Sequence, residues 1–249
     1  MAITDHPICK GLVNKHKNRL KPIIRHKLFL KWLPSICNLN LSVLAMIFGT
    51  DKLAHGYIPR YESLLSGLRN RKLNMLEIGI GGYKDPHQGG ESLRMWKAYF
   101  PRVNVHGLDI YDKSGMKESR IRIWQGSQID EEILNRIVNS SSAGLDIIID
   151  DGSHRNEHII STFEILFPRL NKGGWYFVED TQTSYWPEYG GKTEKHDNTE
   201  STAMGYFKNL VDGLNHEELK IPDYQPTYFD INIDSIFFWH NLIAIHKSG

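Results

Sequence analysis

Two apolar runs end in clusters of acidic groups, "IIIDDGSHRNEH" at residues 147–158 and "WYFVED" at residues 175–180. Carboxylates gathered at the ends of neighbouring strands repel one another and raise each other's pKa. A hard divalent cation removes that conflict, and all-oxygen ligation by Asp151, Glu179 and Asp180 suits Mg²⁺. His154 stands three residues past Asp151, a spacing that predicts a place in the first turn of the next helix, with Ser153 as its N-cap. An imidazole of ordinary pKa, about 6.5, is mostly neutral near pH 7 and can take a proton from a hydroxyl held on the metal. A second reading of the same residues is the inverted zinc-peptidase signature H-x-x-E-H, spelled by His154, Glu157 and His158. Under the first reading His158 is a helix-surface or supporting residue.

The elements that position these groups follow from the pattern after residue 72. "KLNMLEIGI", "VNVHGLDIY", "IRIWQG", "LDIIIDD" and "WYFVED" read as strands, the last entered through a Lys172-Gly173-Gly174 turn. Between them "ESLRMWKAYF" and "DEEILNRIVNS" have helical spacing, and a helix after residue 154 keeps Ile159, Ile160, Phe163, Leu166 and Phe167 on one face. Alternating apolar strands and helices imply a parallel sheet covered on both faces. "DSIFFWH" and "LIAIHK" lie so close together that only an antiparallel hairpin joins them. The predicted fold is α/β: a seven-stranded Rossmann-like sheet, mostly parallel with an antiparallel C-terminal hairpin, in the order of a class I methyltransferase. In that order the fourth strand neighbours the first and the fifth, so Asp151 emerges beside Glu179 and Asp180. The zinc signature accounts for none of this wider arrangement.

The glycine loop after the first strand is consistent with that order. Glu77-Ile78-Gly79-Ile80-Gly81-Gly82 lets backbone approach a ligand where a side chain would block it. A dinucleotide fingerprint needs a third glycine at position 84, which is Lys84. An acid two places before Gly79 resembles the S-adenosylmethionine loop instead. Asp109 ends the second strand, where a carboxylate can accept both ribose hydroxyls of an adenosine ligand. The extra loop "KDPHQGG" explains its late position. Gln128, after the third strand, falls where this class contacts adenine.

Composition sets the outer bounds. The 249 residues, 40% of them hydrophobic, suffice for a sizeable core, and a net charge of +1 gives no global field for nucleic acid. The two cysteines, Cys9 and Cys37, match no close metal spacing and no disulfide framework, which points to a reducing cytoplasm. Charge is uneven: residues 1–40 carry eight Lys or Arg against Asp5 alone. Without an uninterrupted apolar run, that segment reads as a basic N-terminal extension, residues 1–45, preceding a catalytic domain at 46–249. Basic residues 10–31 offer a peripheral contact with anionic membrane or a partner.

Several stretches together resemble the metal-dependent sugar O-methyltransferases of macrolide and related antibiotic pathways, the mycinamicin VI 2''-O-methyltransferase type: "FGTDK", "LEIGIGGYKDPHQGGESLRMWKAYFP", "GLDIYDKSG", "IDDGSH", "EDTQTSYWPEYGG" and "FKNLVDGLNHEE". The resemblance spans roughly residues 45–247. It implies an S-adenosylmethionine site using Glu77, Asp109 and Asp150, a Mg²⁺ site of Asp151, Glu179 and Asp180, and His154 as base. Thr50 and Ser92 match positions near the cofactor. It also implies a homo-oligomer, and a larger N-terminal domain in the antibiotic enzymes than the basic segment found here.

Residues 184–230 are the expected acceptor side, a polar and aromatic loop followed by a helix in "STAMGYFKNLVDGLNHEEL". Tyr185, Trp186 and Tyr189 either stack on a sugar face or anchor the loop. The resulting expectation is an S-adenosylmethionine- and Mg²⁺-dependent O-methyltransferase of a sugar hydroxyl, free or in a glycoconjugate. Two rivals stand beside it: methylation of a catechol-like diol, and a non-catalytic module that keeps the fold.

Overall fold

The computed structural model describes residues 39–141, 143–194 and 200–249. The basic extension lies outside them apart from residues 39–45, and so does the contact expected through residues 10–31. The chain divides into two compact units, Met1–Lys72 with Glu91–Val103, and Leu73–Gly90 with Asn104–Gly249. The helix α1 (Leu41–Phe48) runs through the domain boundary expected at residue 45.

Within the first unit, α1 joins α2 (Ile58–Leu65) and α3 (Glu91–Tyr99). Glu62 holds them at one point, its carboxylate accepting from the Leu41 N–H at 2.7 Å and the Tyr99 hydroxyl at 3.0 Å. That places a negative charge on the N-terminal turn of α1, where the helix dipole favours it. Burial, followed by the Glu62 charge, pushes the Tyr99 phenol above its ordinary range.

In the second unit the strands β1 (Leu73–Ile78), β2 (Val103–Asp109), β3 (Ile121–Gln125), β4 (Leu145–Asp150), β5 (Leu170–Glu179), β6 (Ile233–Trp239) and β7 (Leu242–Lys247) form one sheet, in the order β3-β2-β1-β4-β5-β7-β6. β4 pairs in parallel with β1 and β5, while β7 runs antiparallel to β5 and β6. This is the expected order, with Asn241 at φ 59 in the hairpin turn. The remaining helices are α4 (Glu131–Ser140), α5 (Asn156–Leu166), α6 (Ala203–Gly213) and α7 (Tyr228–Asn232). Phe163 of α5 centres the core, meeting Tyr176 of β5 edge-on at 5.1 Å, Phe207 of α6 at 4.9 Å and Phe229 of α7 at 5.3 Å.

Two local readings need correction. The Lys172-Gly173-Gly174 turn lies inside β5 rather than before it: Leu145 faces Leu170 and Ile147 faces Trp175, so the extra residues bulge out of the ladder. Gly173 there adopts φ 69. His154 does not sit in a helical turn. It precedes α5, whose N-cap position is Arg155, and has φ 56.

Two buried polar groups fix the sheet at its flanks. Lys247 Nζ donates to the carbonyls of Phe167, Pro168 and Leu170, at 3.1, 3.0 and 2.7 Å, using all three of its N–H groups. Those carbonyls follow the C-terminus of α5, where a cation is favoured. His106 on β2 accepts at Nδ1 from the Trp124 indole N–H, at 3.1 Å. An indole only donates, so the proton of His106 resides on Nε2 and faces the Ser141 hydroxyl at 3.2 Å. Burial, then the charge of Arg122, pushes His106 down to about 4.

Lys247→Met leaves three carbonyls without their donor and is expected to cost roughly 2–4 kcal/mol, read from urea unfolding at neutral pH. His106 has a folded pKa below its unfolded value of 6.5. Its contribution is therefore present above about pH 6.5 and is lost as pH falls toward about 4. The urea midpoint of the native chain should fall across that window by more than that of His106→Asn, and equal losses refute the assignment.

Candidate active site

The site forms where β1, β4 and β5 end side by side. Pairing continues past the strand ends: the Gly79 N–H donates to the Leu108 carbonyl at 2.8 Å, and the Asp151 N–H to the Ile78 carbonyl at 3.0 Å. The glycine loop thus lies against the first residue after β4. A Cβ at Gly79 would fall 2.0 Å from the Asp151 carbonyl oxygen, so only glycine allows that approach. At Gly81, by contrast, a Cβ would meet nothing closer than 3.9 Å, and the loop backbone there is bare.

Asp109 supports the loop from β2. Its Oδ2 accepts from the Ile80 N–H and its Oδ1 from the Tyr111 N–H, both at 2.9 Å. Each oxygen keeps a second lone pair for another donor. The "KDPHQGG" insertion is anchored by Lys113, fully buried, whose Nζ donates to the Asp85 and Gln88 carbonyls at 2.7 and 3.1 Å.

Strand pleating separates the acids onto two faces. Asp150 follows Ile148 toward α5 and is 1% exposed. Both of its oxygens accept from Gln128 Nε2, at 3.1 and 3.3 Å, and Oδ1 also faces the Gly152 N–H at 3.4 Å. Burial pushes its carboxyl up to about 7 against these donors, and the Asp151 charge adds to the rise. Gln128 is itself buried and committed to the protein: Nε2 also donates to Thr162 Oγ1, and Oε1 accepts from the Ser153 N–H at 2.7 Å. Its amide orders the β4–α5 turn rather than facing outward. Glu77, on the other face of β1, is fully buried.

Asp151, His154 and Asp180 are the three side chains that meet, with one ligand atom from each lying within 4.8 Å of the others. His154 Nε2 is 3.8 Å from Asp180 Oδ2. Among the described residues this is the one such group of acids and imidazoles. Glu179 ends β5 and is 2% exposed, but it is not one of the three. The two carboxylates fit a hard divalent cation with the imidazole beside it, and the bare backbone of the glycine loop fits a ligand packed close to it. His154 and Asp180 both occupy the left-handed region, at φ 56 and φ 54. Strained backbone of this kind persists only where surrounding contacts impose it.

The three zinc-signature residues form no single ligand group, although His158 Nε2 lies 3.7 Å from Glu157 Oε1. Glu157 turns to Arg155, at 2.8 Å, and His158 Nδ1 shares a hydrogen bond of 2.9 Å with the Ser153 hydroxyl. Burial lowers the pKa of His158. Ser153 therefore braces the turn from a position just ahead of the helix. Thr50 and Ser92 belong to the other compact unit, Thr50 accepting from the Lys52 N–H at its own turn and Ser92 lying in the first turn of α3.

On the expected acceptor side, Tyr185 is exposed, whereas Trp186 and Tyr189 pack on each other with ring centres 5.9 Å apart. The residue that sequence reading missed is Asn156, 1% exposed at the start of α5. Its signal was available: Asn156 shares the buried stripe of Ile159 and Phe163, at i+3 and i+7, where a polar group needs partners.

Strand order, glycine loop and strand-end acids together define a class I methyltransferase fold. The family described as rhamnosyl O-methyltransferase/CmcI matches residues 95–221, and the chain belongs to that family. It is 43% identical over 211 residues to mycinamicin VI 2''-O-methyltransferase of Micromonospora griseorubida, covering 84% of this chain and 52% of that protein. It is also 43% identical to 8-demethyl-8-alpha-L-rhamnosyl tetracenomycin-C 2'-O-methyltransferase of Streptomyces olivaceus, over 84% of this chain and 54% of that one. The solved structure of MycE methyltransferase from the mycinamycin biosynthetic pathway, in complex with Mg and SAH, superposes with a TM-score of 0.80 at 43% identity, covering 84% of this chain and 55% of that chain. The chain thus spans about half the length of the relatives it matches. No helix among the described residues is long and apolar enough to cross a membrane.

The left-handed backbone gives a direct test of strain. His154→Gly and His154→Ala both delete the imidazole, but only glycine adopts φ 56 without a Cβ penalty. The glycine variant should be more stable by about 1 kcal/mol in thermal or urea unfolding. Equal stability means the turn relaxes to negative φ in the alanine variant.

Proposed function

We propose that this chain is a cytoplasmic S-adenosylmethionine- and Mg²⁺-dependent O-methyltransferase acting on a sugar hydroxyl, in a free sugar or a glycoconjugate of natural-product biosynthesis. The meeting of Asp151, His154 and Asp180 beside the glycine loop carries the reading. The names of the relatives support it, since both are sugar O-methyltransferases of antibiotic pathways, and so does the Mg- and SAH-bound state of the MycE structure. When bound, S-adenosylmethionine supplies the methyl group and Mg²⁺ a Lewis acid for the acceptor oxygen.

The chain's own residues do the rest. Asp151 and Asp180 hold the cation, with Glu179 next to Asp180 adding negative charge behind them. Gly79 and Gly81 keep backbone bare for the cofactor, Asp109 offers its spare lone pairs to ribose hydroxyls, and Glu77 lies toward the methionine end. Asp150 acts from the opposite face of the sheet, through Gln128 and the turn both of them brace. His154 takes the acceptor hydroxyl's proton as neutral imidazole. Tyr185, exposed next to this cluster in sequence, offers a ring to the sugar, and the segment around it excludes water. Self-association and a membrane or partner contact through residues 10–31 belong to the same reading.

A panel of sugars, nucleotide sugars and glycosides, assayed for methyl transfer with Mg²⁺ and again with EDTA, tests this. His154→Ala should lower the single-turnover rate by roughly 10²–10⁴-fold while the affinity for S-adenosylhomocysteine changes less than about twofold. Full transfer after exhaustive chelation rejects the metal, and a near-native rate in His154→Ala rejects the base.

A further inference from the structure

We infer that Asn156 is a positioning residue that couples the acceptor segment to the base-bearing turn and to Asp180. The inference rests on the site reading above and extends it to a residue outside the reacting groups. Asn156 Nδ2 donates to the carbonyls of Thr183 and Tyr189, at 3.1 and 3.0 Å. Its Oδ1 accepts from the Ser184 hydroxyl at 3.1 Å and from the Ala203 N–H at 2.7 Å. Both donors and both acceptor sites of the amide are in use, in a side chain 1% exposed.

The partners give this arrangement its meaning. Thr183 is tied to Asp180, its N–H and its hydroxyl both reaching the Asp180 carbonyl at 3.2 Å. Ser184 and Ala203 both belong to the expected acceptor side, residues 184–230, and the Ser184 hydroxyl also accepts from the Met204 N–H at 3.0 Å. Asn156 itself follows His154 by two residues. One buried amide therefore joins the turn that carries His154, the turn that carries Asp180, and both ends of the segment between residues 184 and 203. His154 and Asp180 both hold unfavourable left-handed backbone. Order in the acceptor segment and correct placement of the base and the metal carboxylate are then one event.

Asn156→Asp separates this role from packing. The shape is kept, as are the bonds from Ser184 and Ala203, but the two N–H donors are gone: a carboxylate offers the two carbonyls no proton and a protonated carboxyl offers only one. The full chain and the variant are compared by amide hydrogen exchange, by Mn²⁺ titration and by S-adenosylhomocysteine binding. The expected result is exchange at least about tenfold faster in residues 183–190 and also in residues 152–154, with Mn²⁺ affinity lowered about tenfold and S-adenosylhomocysteine affinity within about twofold of native. Faster exchange confined to residues 183–190, with Mn²⁺ affinity unchanged, overturns the coupling and leaves Asn156 a simple loop tie. Native exchange throughout overturns it as well. A native chain that takes up no Mn²⁺ rejects the metal reading instead, and exchange at residues 152–154 then decides the coupling by itself. Where Asn156→Asp does not fold, Ser184→Ala removes one of the four bonds and must move both segments in the same direction.

Discussion

Concentrated negative charge at the ends of three neighbouring strands is the constraint on which the rest of the site depends. Glu77, Asp150, Glu179 and Asp180 are all buried, and Asp151 follows directly. At close range in a medium of reduced dielectric such charges repel strongly. Pleating answers part of this by sending Asp150 to one face, where Gln128 and a backbone N–H meet it. Its carboxyl is nonetheless raised to about 7, chiefly by burial. On the other face Asp151 and Asp180 come together with His154, an arrangement whose chemistry favours a positive charge between them.

Two buried amide side chains help hold this arrangement. Gln128 and Asn156 stand on either side of the His154 turn, the first taking the Ser153 N–H and the second bridging to residues 183–203. An amide both donates and accepts, so it satisfies backbone groups on two segments without adding a charge to an already acidic site. At the glycine loop the buried ammonium of Lys113 likewise ties backbone, donating to the carbonyls of Asp85 and Gln88. A left-handed histidine and a left-handed aspartate survive because these bonds leave the backbone no cheaper path.

The strands were legible because each is a short apolar run bounded by turn residues, and the order followed from the βα alternation and the tight final hairpin. Asp151, Glu179 and Asp180, with His154 near them, were read as one cluster once that order put β4 beside β5, and of these Asp151, His154 and Asp180 meet. Three things were not. The bulge at residues 172–174 depends on pairing with β4, which local glycines do not reveal. The backbone of His154 is set by tertiary bonds, and a histidine is no sign of positive φ. The inward turn of Gln128 depends on Gly152, where a Cβ would come 2.4 Å from its Oε1, a contact between residues far apart in sequence.

Fastening Thr183, Ser184, Tyr189 and Ala203 to one asparagine has an evolutionary consequence. Closing a flexible loop costs free energy only logarithmically in its length, about 0.6 kcal/mol for each doubling. With Thr183, Ser184, Tyr189 and Ala203 all fastened to Asn156, sequence changes confined to positions between 190 and 202 leave in place the clamp on the turn that bears His154. Under the proposed function, the acceptor recognised could then change there while the reacting groups stay in place. A change of substrate would then be an edit to one cassette, confined to the residues that Asn156 leaves between its partners.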